Sequence, residues 1–379
     1  MSRAILVLNA GSTSIKFVVF DLDLVRLFDG QADGIGGAAR LVIDGEASSV
    51  DLSDHRRALA ALLDALAARD LPPEALAAAG HRVVHGGEKL TAPARITPGI
   101  RAAIEAAFPL APLHNPLNLS AIDRLAELAP DLPQCASFDT GFHAAAPELS
   151  RRYAVPQEIE AMGIRRYGFH GLSYAGLVAS LPDLSGAPLP RRLLAFHLGG
   201  GASAAAIADG RSVATTMGYS PVSGLTMGTR TGEIDANAVL RLAEEFGVER
   251  AGQVLNKESG LLGLSGSSAE MRALLEDGSE AARFAVAHFC YWARREAGSL
   301  VAAMGGLDAI AFTGGIGEKS ARVRAEIVKG LGWLGAALDE GANAAHGPAI
   351  HRPGSLPVWV VPADEERQIA ADTKAVLEL

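Results

Sequence analysis

Ile5-Leu-Val-Leu-Asn9-Ala-Gly11-Ser12-Thr13-Ser14-Ile15-Lys16-Phe-Val-Val-Phe20-Asp21 reads as a β-strand, a tight turn of small residues and a second strand. A glycine, three hydroxyls and a lysine lie in or beside that turn. Backbone N–H groups and hydroxyls in such a turn cradle phosphate oxygens, and a lysine adds a point charge. An ordinary hairpin with a polar turn fits the stretch equally well, so the rest of the chain has to decide.

The theme returns at Leu193-Leu-Ala-Phe-His197-Leu-Gly199-Gly200-Gly201-Ala202-Ser203-Ala-Ala-Ala-Ile207, with Gly200 and Ser203 at the places of Gly11 and Ser14. A duplicated fold leaves such an echo, although two unrelated α/β domains can each contain such a turn. Two further glycine-bearing loops, Gly263–Ser268 and Thr313–Gly317, are expected at strand ends, the second opening a helix from Ser320. Glycines between a strand and a helix N-terminus offer free N–H groups and a favourable dipole to phosphate. Four such loops in one chain point to a nucleotide held between two domains. The chain has no GxxxxGK[ST] and no GxGxxG opening a first βαβ unit, which excludes a P-loop protein and argues against dinucleotide binding.

A chain of 379 residues suits two domains, and 49% hydrophobic with 20% charged residues is a globular composition. A net charge of −9 argues against a nucleic-acid partner. No run of 18 uncharged apolar residues predicts a membrane span, and the N-terminus lacks a signal-peptide layout. Cys135 and Cys290 make no disulfide framework and have no metal-ligand spacing, which suits a reducing cytoplasm.

Strands are expected around Leu41–Val50, Ala77–Val84, Pro133–Phe138, Asp308–Thr313 and Leu356–Val361. Helices are expected at Arg56–Arg69, Pro98–Phe108, from Pro116 to Ala129, from Gly171 to Leu181, Ala236–Phe246, Glu249–Lys257, from Glu270 and over Glu280–Met304. A last helix follows Ala363-Asp364-Glu365-Glu366. Pro182–Pro190 reads as a connector, Gly260–Ser268 as flexible, and the irregular stretch 144–162 as a domain boundary.

Arg82 and Arg230 lie in glycine-flanked stretches that suit bidentate recognition of a carboxylate or phosphate, against the commoner fate of a surface salt bridge. His85, His114, His143, His170 and His197 fall at strand or loop junctions, without an HExxH or CxxC to begin a zinc site. Asp139 ends a strand and Glu365 precedes a helix, as caps or as Mg²⁺ ligands.

Taken in order and spacing, the motifs resemble the acetate kinase (acetokinase) family of the sugar kinase/Hsp70/actin superfamily. They are Asn9–Lys16, His81-Arg-Val-Val-His-Gly-Gly87, His114-Asn-Pro116, Phe138-Asp-Thr-Gly-Phe-His143, Arg166-Tyr-Gly-Phe-His-Gly171, His197-Leu-Gly-Gly-Gly-Ala-Ser203, Met227-Gly-Thr-Arg-Thr-Gly-Glu-Ile-Asp235, Phe312-Thr-Gly-Gly-Ile-Gly-Glu318 and Asp364-Glu-Glu366. The resemblance runs nearly end to end. It implies a duplicated two-domain α/β fold of the actin-like ATPase type with a central interdomain cleft. Residues 1–143 would form the acyl-substrate and phosphate domain, joined by a C-terminal helix at 366–379. Residues 144–365 would bind nucleotide and form a homodimer.

The activity it implies is reversible, Mg²⁺-dependent transfer of the ATP γ-phosphoryl group to acetate, giving acetyl phosphate and ADP, with Mn²⁺ as an alternative ion. Propionate or another short-chain carboxylate is the alternative substrate. A non-catalytic nucleotide-switched protein is the alternative from another class, and the joint presence of Arg82, Asp139, His170, Arg230 and Glu365 speaks against it.

By the same resemblance Asn9, Asp139 and Glu365 surround the metal and the transferring group, with Asn9 and Glu365 as metal ligands. Arg82 and Arg230 hold carboxylate and phosphoryl oxygens, and His170 bonds the phosphoryl group in the transition state. Val84, Leu113 and Pro221 form the methyl pocket. His197, Leu198, Gly199, Gly200, Gly201, Glu270, Met271, Arg272, Gly315, Ile316, Gly317, Glu318 and Lys319 bind ATP. Lys16 is grouped with them, as a long-range charge or hairpin support past the turn. The chain departs from the family pattern at Gly200 (usually Asn), Leu172 and Tyr174 (Thr and His), Glu270 (Asp) and Lys319 (Asn). These changes bear on phosphate-donor preference and ATP affinity, and none falls within the presumed catalytic set.

Overall fold

The opening stretch folds as β1 (Ala4–Ala10) and β2 (Ser14–Asp21), an antiparallel pair, in a computed structural model that describes every residue except 1, 2, 38, 49 and 51. Residues Ile5–Leu8 are apolar throughout because β1 is central and buried on both faces, so the run does not alternate. The turn closes by a Gly11 N–H bond to the Ser14 carbonyl at 2.8 Å.

The first sheet continues with β3 (Arg26–Asp33), β4 (Arg40–Ile43), β5 (Glu46–Ser48), β6 (Leu76–Val83), β7 (Ala94–Arg95) and β8 (Gln134–Phe138). Its order is β5-β4-β3-β2-β1-β6-β8-β7, antiparallel from β1 out to β5 and parallel from β1 through β6 to β8. The strand region expected over 41–50 is a small hairpin, bent at Asp44 and Gly45, both with positive φ. Residue 49 of that expectation lies outside the described residues. β3 was not foreseen, because it is half exposed and carries Arg26, Asp29, Gly30 and Asp33. Gly30 is required there: a β-carbon would lie 2.4 Å from the Val42 carbonyl oxygen and 2.5 Å from the Phe17 ring.

The second sheet comprises β9 (Arg192–Leu198), β10 (Ala202–Ala208), β11 (Arg211–Thr215), β12 (Ala309–Thr313) and β13 (Val358–Val360), in the order β11-β10-β9-β12-β13. Strand for strand this repeats β3-β2-β1-β6-β8: two antiparallel pairings on one side of the first strand, two parallel ones on the other. β9 and β10 therefore stand where β1 and β2 stand. The faint echo of the two Gly/Ser hairpins is a duplication of the whole α/β core.

The chain divides into two units, Met1–Phe142 with Asp364–Leu379, and His143–Ala363. Asp364 and Glu365 thus group with the first unit, ahead of the expected join at 366. In the first unit, helix His55–Ala67 buries Leu59, Leu62, Leu63 and Leu66 at helical spacing, and Asp54 caps it by accepting from the Arg57 N–H. Helix Glu365–Leu377 packs across β1, β6 and β8.

In the second unit, helix Glu280–Met304 lies on β10 and adjoining strands. Helix Gly171–Ser185 continues through Pro182 for one turn and stops at Gly186 in the left-handed region, so the connector begins later than expected. The segment expected to be flexible after Gly260 is a helix, Gly260–Ser265, and follows no strand. Beyond β12 the glycines themselves wind into helix Gly314–Lys319, and Ser320 caps the next helix, Ala321–Lys329. Among the described residues no helix is long and apolar enough to cross a membrane.

Candidate active site

Two groups of side chains, one in each unit, carry the chemistry. In the first, β6 and β8 run parallel, with Arg82 opposite Ser137 and Val83 opposite Phe138. Arg82 and Asp139 therefore emerge together at the carboxyl ends of adjacent strands, where open α/β sheets present ligand-binding groups. Arg82 grips Asp139 with a fork: Nε to Oδ1 at 3.1 Å and Nη2 to Oδ2 at 2.5 Å. Glu365 Oε2 lies 3.7 Å from Arg82 Nε, and Asn9 Oδ1 is a long 3.5 Å from Nη1. Glu365 is free to face Arg82 because its neighbour does the capping: the Asp364 side chain accepts from the Arg367 N–H.

Burial alone would weaken the Arg82 cation, but Asp139 and Glu365 outweigh it and hold its pKa above the ordinary value. Burial raises the Glu365 carboxyl to about 7; the negative charges of Asp139 and Glu366 add to this, while Arg82 and Lys16 oppose it. The cluster thus has carboxylate to spare for a further cation.

Two asparagines hold the backbone behind this cluster. Asn115 accepts from the His85 N–H at 3.0 Å and donates to the His85 carbonyl at 2.8 Å. Asn118 accepts from the Val84 N–H at 3.2 Å and donates to the Ala10 carbonyl at 3.0 Å, tying β6 to the end of β1. Asn118 was not singled out in the sequence. Its signal is there, an amide three residues from Asn115 on the buried face of one helix.

Of the expected methyl-pocket residues, Val84 is buried, Leu113 is 63% exposed, and Pro221 belongs to the second unit. Lys16 stands opposite Asn9 on β2 with its side chain exposed, in the first unit, whereas the other expected ATP residues lie in the second.

In the second unit His170 adopts the left-handed region, φ 59° and ψ 23°, at the start of helix Gly171–Ser185. A non-glycine residue held there marks a constrained position. Its ring stacks on His197 with centroids 4.0 Å apart. Its Nδ1 lies 2.9 Å from Ser203 Oγ, and the Tyr174 hydroxyl lies 2.6 Å from that same Oγ. His197 Nδ1 pairs with Ser173 Oγ at 2.8 Å.

A β-carbon on Gly201 would come within 3.2 Å of His170 Nε2 and 3.5 Å of Arg230 Nη1, so the glycine leaves both groups converging on one open point. The loop carrying Arg230 is pinned to this turn by the Gly228 N–H bonding the Gly200 carbonyl at 3.0 Å. Arg230 has no carboxylate within ion-pair distance among the described residues, and burial holds its pKa below the ordinary value. That is the electrostatic signature of a cation placed for an anion that arrives from outside.

The remaining expected ATP residues differ in their surroundings. Gly314 packs so close to the Leu198 carbonyl that a β-carbon would lie 2.8 Å from it, which brings the turn after β9 against the glycines after β12. A β-carbon on Gly200 or Gly315 would meet nothing within 4 Å. Leu198 and Met271 bury their side chains in the core, leaving their backbones to any ligand. Arg272 is exposed and pairs with Glu276 at 3.1 Å. Glu318 Oε1 accepts from the Ala363 N–H at 3.0 Å.

Behind these glycines lies Arg324, fully buried, which the sequence did not mark. It donates to the carbonyls of Gly317, Glu318 and Asn343 and to Asn343 Oδ1, all at 2.7–2.8 Å. Tyr174 is also placed differently from the sequence expectation: it stands one hydroxyl away from His170, not simply beside a nucleotide loop.

What these groups can supply is fixed positive charge and N–H-rich turns around an anion. That is the equipment of phosphoryl transfer, which is mostly positioning and charge stabilisation, here on a duplicated actin-like ATPase core. The profile of the acetokinase family matches residues 4–371. The acetate kinase of Rhodopseudomonas palustris (strain ATCC BAA-98 / CGA009) is 43% identical over 388 residues, spanning 98% of this chain and 97% of the relative. The crystal structure of Porphyromonas gingivalis acetate kinase superposes with a TM-score of 0.92 at 35% identity, over 99% of this chain and 100% of that one. A propionate kinase structure from Francisella tularensis superposes with a TM-score of 0.94 at 33% identity, over the same shares. The chain belongs to the acetokinase family.

Proposed function

We propose that this chain is an acetate kinase, transferring the γ-phosphoryl group of ATP to acetate and, in reverse, from acetyl phosphate to ADP. The observation that carries this reading is Arg230: a partly buried guanidinium without a carboxylate partner among the described residues, beside His170, over a glycine turn. Family membership supplies the substrate class.

The acetate carboxylate is ionised at neutral pH, so its oxygen attacks the γ-phosphorus without a general base. The new O–P bond forms in line as the bond to the β-phosphate oxygen breaks, and ADP leaves with that electron pair. Arg230 and the Nε2 of His170 would take the phosphoryl oxygens, whose charge must be held in the transition state. Arg82, oriented by its fork to Asp139, would hold the incoming carboxylate with Nη1. The turn after β9 and helix Gly314–Lys319 would bind the nucleotide phosphates.

Asn9, Asp139 and Glu365 fit a hard divalent cation. Mg²⁺ is such an ion, bound by one or two carboxylates, water and substrate phosphate. When bound, the ion neutralises phosphate charge.

The second unit would also carry a homodimer contact. Helix Ala236–Phe246 buries none of its residues, and Leu240, Phe246, Val248, Phe284 and Tyr291 are exposed. Two buried free thiols suit a cytoplasmic enzyme.

A hydroxamate assay with ATP, Mg²⁺ and acetate, propionate or butyrate tests the assignment. Acyl phosphate formed most efficiently from acetate is the expected result. Preference for propionate would move the assignment within the family, and no product from any of the three would overturn it.

A further inference from the structure

On the reading above, His170 meets the phosphoryl group through Nε2, and it helps there only if Nε2 carries a proton. A neutral imidazole has one N–H to place, and the other nitrogen presents a lone pair that repels a phosphoryl oxygen. On the far side of the ring, Nδ1 has a hydroxyl partner. His170 Nδ1 is 2.9 Å from Ser203 Oγ, and Ser203 Oγ is 2.6 Å from the Tyr174 hydroxyl. Ser203 and Tyr174 are both fully buried, and Tyr174 is among the largest side chains with no exposure.

A serine hydroxyl has a single proton. Either oxygen of the short Tyr174–Ser203 bond can donate; with the phenol, the more acidic of the two hydroxyl types, as donor, the serine oxygen accepts. The Ser203 proton then points to His170 Nδ1, and the ring's own N–H is left on Nε2, facing the point above Gly201 that Arg230 also faces. We propose that Tyr174 and Ser203 form a two-link hydrogen-bond relay that holds His170 as the Nε2–H tautomer, which makes Tyr174 a positioning residue for phosphoryl transfer.

The test is ¹⁵N NMR of the full chain labelled at histidine, with a His170→Asn variant used only to assign the resonance, alongside steady-state kinetics. In the unaltered chain His170 should show a protonated Nε2 and an unprotonated Nδ1. Tyr174→Phe removes one oxygen and should give a mixed tautomer, with kcat reduced on the order of 10-fold and KM for ATP nearly unchanged. Ser203→Ala should mix the tautomers likewise. An Nδ1–H tautomer in the unaltered chain, an unchanged tautomer in Tyr174→Phe, or an unchanged kcat despite a changed tautomer would each overturn the proposal. Should Tyr174→Phe fail to fold, the tautomer of the unaltered chain decides alone. The NMR result does not depend on which carboxylate is phosphorylated, so a failed relay and a failed assignment are distinguishable.

Discussion

Two arginines, equally plausible as anion binders in the sequence, end in opposite electrostatic states. Arg82 is bound to Asp139 and faces Glu365, so its charge is already balanced and its orientation fixed. Arg230 has no such partner among the described residues, and burial works against its charge. An unpaired cation contributes most when negative charge develops beside it. Arg230→Ala is therefore expected to lower kcat by about 10²–10³-fold while changing ATP affinity only a few-fold. Equilibrium binding of ATP, measured beside kcat, checks this; an unchanged kcat removes Arg230 from the reaction. Gly201→Ala places a methyl group 3.2 Å from His170 Nε2 and 3.5 Å from Arg230 Nη1. It should depress kcat with little change in melting temperature, and unchanged turnover would show that the point above Gly201 is not the reacting one. At this scale the glycine-flanked Arg82 and Arg230 and the strand-end Asp139 stood out from local context. The Tyr174–Ser203 link did not, because it joins positions 29 residues apart that only the fold brings together.

Elements were legible where burial is one-sided or complete and illegible where it is neither. β1 and helix Glu280–Met304 announce themselves through an unbroken apolar run and a long amphipathic one. β3 has no such pattern, and its place is set by pairing with β2 and by the close approach of Phe17 to Gly30. The glycines after β12 suggested a loop, yet they wind into helix Gly314–Lys319, with Arg324 bonding the carbonyls of Gly317 and Glu318 near its end. A buried arginine facing only neutral acceptors is stable because every one of those bonds is made. Arg324→Met should strand these carbonyls and the Asn343 amide, costing roughly 3 kcal/mol, and should raise KM for ATP more than it lowers kcat. Thermal denaturation and ATP titration check both; a variant as stable as the parent would show that the helix stands without the clamp.

The whole molecule is one α/β core used twice, and the visible trace of that in the sequence is two Gly/Ser hairpins. The topology that proves the duplication was not legible, since strand order rests on long-range pairing. The same burial that builds the cores sets an acid limit. Burial pushes His81, His85 and His143 down to about 4, from an unfolded value near 6.5. Between those values the unfolded chain binds more protons, so stability is full above about 6.5 and falls as pH drops towards 4, by on the order of 3 kcal/mol per histidine. Urea unfolding between pH 7 and 4.5 should show a steadily falling midpoint, and a flat midpoint would contradict the neutral buried state of these rings. That a carboxylate oxygen attacks the transferring phosphorus is tested by ³¹P NMR of a reaction run with ¹⁸O-labelled acetate and Mg-ATP. The expected product is acyl phosphate whose ³¹P resonance carries the isotope shift of an ¹⁸O bridge. Acyl phosphate without that shift, or only inorganic phosphate and ADP formed at a rate indifferent to acetate, would contradict it.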